Sequence, residues 1–474
     1  MKTLKILLLA IFPLLFFACS EDKMDEINRE LNDALSMSSQ NMLPDAIVKT
    51  AFQTTGTDMA WYATVYIEHS AGTWAQSADA DRRSGQEAAS LFGNNWDQQY
   101  DVLNICKDMI SKTAPDGPES DNLFARGVAQ VLTAYNLAVL TDMWGEVPWT
   151  EALQGFSLMQ PKFDKQSALY PIIQKYLDDA IASFNATTRV SAVGDYIYGG
   201  KKSAWIKAAY SLKARYYMRL SQRDNGASAS ALGVMANAFG SNDDNFVFDA
   251  YEESATGENP WFQFLNDRTH LSVSQTLFNI MNDRNDPRIP AYFTIPQDSS
   301  TYAPAPSGNA IQNQGGMYST SLFTENGQIA ATPLMTYHEL KFIEAEAKFR
   351  TSDATWQTSL QEAIAANFEF HGVTGDSAYY ADEVAPRLTA GNELNEILTQ
   401  KYIAFYEFEA MEAYHDYRRV PSFLTLNNPQ NATVGFVWRF PYGISEVSAN
   451  PANVPDIDIY TDKTWWAGGA ELVQ

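Results

Sequence analysis

The sequence predicts a mainly α-helical protein, in which paired helices form a scaffold and a loop-rich part carries a binding site. Three observations predict this. Long stretches place apolar residues every three or four positions, as in Trp205, Ala209, Leu212, Tyr216 and Leu220. Hydrophobic residues make up 45% of the chain, ample for a substantial core. Residues 223–332 break the helical pattern with many Asn, Asp, Gly, Ser and Pro, and they predict loops, short helices and short strands such as Asn245–Tyr251.

The first 18 residues read as a removable leader. Lys2 and Lys5 precede an apolar run, Ile6 to Phe17, which is too short to span a bilayer stably. Ala18 and Cys19 close that run, a pattern that resembles a lipobox and makes Cys19 an acylation site. Several acyl chains, at roughly 0.8 kcal/mol per buried CH₂, anchor a protein far more firmly than one chain does. Residues 19–35 would then be the acylated cysteine and its tether, in which Ser20, Glu21, Asp22 and Lys23 are an acidic stretch resembling an outer-membrane surface-export tag.

Residues 36–474 form the body. The first helix is expected over Pro44–Glu68, with proline in its opening turn. A polar loop, His69–Gly85, follows, and then a helix over Gln86–Ser111. The next helix, Leu123–Trp144, is stopped by Gly145 and Pro148. Asp164 is placed to cap a helix reaching Phe184, and Lys201–Gln222 follows. Beyond the loop-rich segment, helices are expected over Pro333–Arg350, Thr355–Phe370 and Asn392–Arg419, ahead of an irregular tail from Val420. Helix starts near Gln86, Leu123, Asp164 and Lys201 are 37, 41 and 37 residues apart, one helix per step, so any tetratricopeptide-like repeats must be degenerate.

Charge and motifs exclude several functions. With 57 acidic against 33 basic residues the net charge is −24, which disfavours nucleic acid, whose phosphates need a basic face. With Cys19 acylated, Cys106 stands alone on an apolar stripe, so neither a disulfide framework nor a cysteine zinc site is expected. The five histidines lack metal-ligand spacing, and no nucleophile-elbow, phosphate-loop or dinucleotide signature occurs. No catalytic residue, metal or cofactor is therefore expected. Two alternatives to a binding protein remain: a surface glycoside hydrolase, which would need only two suitably spaced carboxylates, and a helical-repeat interaction scaffold.

Seven segments in order resemble the SusD/RagB family of nutrient-binding outer-membrane lipoproteins. They begin at Leu123 (LFARGVAQVLTAYNLAVLTDMWGEVPWTEAL), Gln160 (QPKFDKQSALYPIIQKYLDDA), Tyr198 (YGGKKSAWIKAAYSLKARYYMRL), Asn285 (NDPRIPAYF), Pro333 (PLMTYHELKFIEAEA), Gln400 (QKYIAFYEFEAMEAYHDYRRV) and Arg439 (RFPYGISEVSANPAN). The resemblance implies four tetratricopeptide-like helix pairs and a variable loop-rich part that holds ligand. It also implies a non-enzymatic protein at the cell exterior, capturing glycans or oligopeptides and delivering them to a SusC-like TonB-dependent transporter.

Candidate ligand contacts come from two loops that combine aromatic and polar groups. Ala71–Arg83 offers Trp74, Asp81 and Arg82; Tyr251–Tyr318 offers Trp261, Tyr302 and Tyr318. Trp74 has no apolar neighbours in sequence and is expected to be exposed, whereas Trp261, in Asn-Pro-Trp-Phe-Gln-Phe, has packing of its own loop as an equal alternative.

Overall fold

A computed structural model describes residues 36–473, apart from residues 57, 298, 314, 315 and 408; Cys19 and its flanking segments lie outside the described residues. Helix is 54% and strand 4%, in line with the predicted mainly α class. The body, Ser39–Gln474, forms one compact unit.

The scaffold is built from long helices in chain order: α1 (Ser39–Lys49), α2 (Asp58–Tyr66), α3 (Ala75–Asp81), α4 (Gly93–Lys112), α5 (Leu123–Trp144), α6 (Gln166–Ala186), α7 (Lys202–Arg219) and α8 (Ala227–Val234). After the loop-rich segment come α11 (Tyr337–Arg350), α12 (Trp356–Phe370), α13 (Glu393–Ala404) and α14 (Ala410–Arg419). Within that segment lie α9 (Pro260–Asp267) and α10 (Gln275–Asn282). Four short strands make two antiparallel pairs: β1 (Ser70–Gly72) with β3 (Leu271–Val273), and β2 (Phe246–Phe248) with β4 (Thr332–Met335).

Successive helices pack as antiparallel neighbours. Phe124, at the start of α5, meets Phe184 at the end of α6, and Tyr170 near the start of α6 bonds Asp142 near the end of α5. That approach needs glycine: a Cβ on Gly127 would sit 2.7 Å from the Phe184 ring. Helices α11 and α12 run the same way, with Phe349 against Trp356 and His338 against Phe370. α5 is long and apolar enough to cross a membrane, with a mean hydropathy of 1.3, but 89% of that stretch is buried inside the body. It is the central core helix, apolar all round because neighbours surround it.

Several boundaries depart from the sequence reading. The helix expected over Pro44–Glu68 is two helices, because the chain breaks at Gly56, where a Cβ would stand 2.7 Å from Pro260. Helix α4 starts only at Gly93, residues Gln86–Phe92 being turns. Pro333–Met335 belongs to β4 rather than to the following helix. The helix expected over Asn392–Arg419 is broken between Ala404 and Ala410, with Glu407 in the left-handed region at φ 72°. Asp164 does not cap α6. Its carboxylate accepts from the Trp149 and Thr150 amides at 2.7 and 2.8 Å, while Glu471 of the tail receives the Gln166 and Ser167 amides at 3.1 and 2.9 Å.

A buried ion network joins the scaffold helices. Arg219 on α7 bridges Asp142 on α5 at 3.1 Å and Glu412 on α14 at 2.5 Å. Arg215, one turn earlier, grips Glu339 on α11 with two donors, Nε at 2.7 Å. Arg419 pairs with both oxygens of Glu346 and, at 2.9 Å, with Asp416, which also meets Lys401 of α13 at 2.9 Å. Burial works against the Glu346 charge, but Arg419 and Arg350 outweigh it and hold the carboxyl well below the usual range.

Removing one partner from such a pair leaves the other charge buried and uncompensated, at a cost of about 3–5 kcal/mol. Arg215→Met should therefore lower the unfolding free energy by that amount in urea denaturation. A loss under about 1 kcal/mol, the usual worth of a solvent-exposed pair, would show that the network is not structural.

Candidate functional site

Two loops that are far apart in sequence meet at the β1–β3 pair, where Ala71 stands opposite Ser272. Beyond the strand the Thr73 amide donates to the His270 carbonyl at 2.8 Å and the Thr73 hydroxyl to Thr269 at 2.9 Å. Gly72 permits this course, since a Cβ there would fall 1.8 Å from the Ser77 carbonyl. The chain then turns into α3, whose far end is fastened to the second loop: Arg82 donates to the Ala310 carbonyl at 2.8 Å and Asp81 accepts from the Gly308 amide at 2.6 Å.

Beside this junction opens a cavity of about 710 Å³. Its walls include Leu265, Leu271, Thr294, Gln297, Asn313, Tyr318, Thr320 and Glu325. Apolar side chains form part of the wall, and amides and hydroxyls supply most of its polar groups. Asn313 is fixed by donating to Ser272 at 3.2 Å and accepting from the Tyr318 amide at 2.9 Å. Among its described lining residues, Glu325 alone carries a carboxylate. Such a wall can bind hydroxyls and amides of a neutral ligand; the paired carboxylates of a glycosidase are not among those residues. Among the described residues no group of three or more His, Cys, Asp or Glu side chains is arranged to hold a metal.

The six candidate contacts divide. Trp74 is 49% exposed, sits in extended backbone at the start of α3, and has no aromatic partner among the described residues. Arg82 is exposed and uses one donor on Ala310, leaving others for a ligand. Tyr318 is half-buried, packs on Ala71, Ala305 and Ala310, and lines the cavity. Tyr302 is half-buried and leans on Phe278 with 5.7 Å between ring centres.

Trp261 and Asp81 are elsewhere. Asn259 caps α9 and Pro260 opens it, so the amphipathic helix turns Trp261 inward; it is 5% exposed and lies 6.3 Å from Trp61. It packs the loop down, and its ring is closed to a ligand. Asp81 is 1% exposed and held by Gly308 and Asn428, so it fastens two loops instead of facing solvent. Small polar residues of the cavity wall, such as Asn313, Thr294 and Thr320, went unnoticed in the sequence because single amides and hydroxyls in a loop carry no periodic signal.

These features define a class: a helical scaffold that carries an open, mostly neutral cavity on its loops. Comparison with known proteins narrows it. A family model described as starch-binding and associating with the outer membrane matches residues 32–442. The structure of a SusD/RagB family protein from Bacteroides thetaiotaomicron is 32% identical, covers 92% of this chain and 100% of its own, and superposes with a TM-score of 0.83. A chitin-binding protein, 24% identical, covers 91% and 100% at a TM-score of 0.75. A chitin-binding SusD homologue from Flavobacterium johnsoniae, 21% identical, covers 90% and 99% at 0.74, and shares the fold. No curated protein matches the chain. The chain belongs to the SusD-like family.

The Asp81 fastening gives a pH dependence. Burial pushes its carboxyl from the usual 3.8 up to about 7, against the opposing pull of the Gly308 amide and Arg83. The folded protein thus holds this proton more tightly than the unfolded chain. The resulting stability is complete below about pH 4 and is lost as pH rises to about 7. Asp81→Asn, neutral throughout, should gain melting temperature relative to wild type as pH is raised from 4 to 8. A difference between the two proteins that stays constant with pH would refute the assignment.

Proposed function

We propose that this protein is a lipid-anchored binding protein on the outer face of the outer membrane. It captures a glycan and passes it to a SusC-like TonB-dependent transporter without chemically altering it. The observation that carries the reading is the half-exposed Trp74, which directly follows Thr73, a residue bonded to Thr269 in the wall of a cavity lined with amides and hydroxyls. An indole face stacks on the apolar face of a sugar ring, while neutral polar groups take its hydroxyls. Oligopeptides are the alternative ligand, but the cavity offers few charges for peptide termini or side chains. The chitin-binding relatives and the starch-binding family description support a polysaccharide source. Membership in an outer-membrane family supports the reading of Cys19 as the anchor, and the transporter is the partner that the family resemblance implies.

Burying an exposed aromatic against ligand contributes roughly 1.5–3 kcal/mol, so Trp74→Ala should weaken binding about ten- to a hundredfold. Titration calorimetry against chito- and malto-oligosaccharides, with peptides as the contrasting panel, measures it. The melting temperature should hold, since the side chain supports no core. Unchanged affinity, or a loss that comes only with unfolding, removes Trp74 from the site; binding confined to peptides overturns the glycan reading. In cells, mild-detergent extraction of outer membranes should recover the protein with a transporter, and Cys19→Ala should leave it unacylated and released. A Cys19→Ala protein that still takes up a fatty-acid label defeats the anchor assignment.

A further inference from the structure

A second cavity, of about 420 Å³, lies on the other side of the chain segment that borders the first. Leu265, Asn266 and Thr269 face the first cavity, whereas Phe264, Asp267 and Arg268 face the second. The two are thus back to back across the end of α9. Thr73 is bonded to Thr269 and His270 at this divide, and Gln76 lines the second cavity, so Trp74 stands in the chain between a residue fixed at the wall of the first cavity and one that lines the second.

The second cavity has the makings of a saccharide site. One wall is aromatic: Trp61 lies flat on Phe264, with ring centres 3.8 Å apart and planes 17° from parallel. Around it stand Asp58, Gln76, Asp267 and Arg268. Among the described residues none of these four side chains makes an ion pair or hydrogen bond, whereas the guanidiniums and carboxylates of the scaffold network are paired with one another. Two carboxylates that accept, a guanidinium that donates and an amide that does both suit the vicinal hydroxyls of a sugar lying on an aromatic face. Burial pushes the Asp58 carboxyl upward, as expected for a group turned into a recess.

We infer that this cavity is a second saccharide subsite, and that the ligand is a linear oligosaccharide running from the first cavity past Trp74 into the second. The inference rests on the glycan reading above and adds to it the length and linear form of the ligand. Two subsites engaged by one chain act at high effective concentration, so affinity must rise steeply once the ligand is long enough to reach both.

The test is titration of the full body with chitobiose and chitohexaose, and with maltose and maltohexaose, using wild type and the double variant Gln76→Ala/Arg268→Ala. Both replaced side chains are exposed, and an unchanged melting temperature verifies the fold. For the series that binds, the wild type should hold the hexasaccharide at least about tenfold more tightly than the disaccharide. The double variant should lose that advantage while its disaccharide affinity stays within about twofold of wild type. A hexasaccharide affinity that the variant leaves intact, or an equal loss for both lengths, overturns the second subsite and leaves the glycan reading standing. Failure of the wild type to bind any of the four sugars defeats the glycan reading and the subsite together.

Discussion

Arg215, Arg219 and Arg419 carry their charges into the middle of a helical body, and the arrangement of that body depends on their being met there. A buried guanidinium is tolerable only where carboxylates reach it in the right geometry, because desolvation removes several kcal/mol that only a close partner restores. The partners come from α5, α11 and α14, so satisfying three arginines fixes how four helices cross. Apolar packing alone would tolerate sliding between helices; forked hydrogen bonds to named oxygens do not. The network thereby turns a set of amphipathic helices into one rigid support.

From α14 the constraint passes to the C-terminal tail. Arg418 donates to the carbonyls of Asp142 and Trp438 at 2.8 and 2.9 Å, and the next residue, Arg439, pairs with Glu146 at 3.1 Å. Gly145, at φ 85°, leaves room for that guanidinium, which a Cβ would meet at 2.6 Å. Trp144 donates to the Pro441 carbonyl at 2.8 Å, and Tyr442 to the Glu146 carbonyl at 3.0 Å. The turn after α5 and the tail from Arg439 are therefore one structural unit, although almost 300 residues separate them.

A second polar knot ties the scaffold to the loops around β1 and β3. Tyr402 of α13 donates to the Glu68 carbonyl at 2.9 Å, and the Glu68 carboxylate receives the Thr276 hydroxyl and the Asn427 and Asn428 amides, each amide at 2.8 Å. Glu68 is held at φ 57°, a conformation a non-glycine residue keeps only when its surroundings impose it. The strand that leads to Trp74 starts two residues later.

Periodicity in the sequence determined the helical class and, for the long helices, position as well: Leu123–Trp144 was legible to the residue because apolar and small residues predominate between a polar connector and Gly145. The exposure of Trp74 was legible too, since Gly, Thr, Ala and Gln around it offer no apolar surface. The tertiary structure alone decided what depends on partners distant in the chain. Nothing near Gly56 in sequence announces that Pro260 packs there and splits a helix, and nothing near Gln166 announces that Glu471 rather than Asp164 receives its amide. Trp261 and Trp74 are equally aromatic, but an amphipathic helix turned one into the core and a paired strand held the other at the surface. Local pattern sets which face of a segment is apolar; which other segment covers that face is settled only when the whole chain competes to bury it, and the surface cavities form where that covering stops.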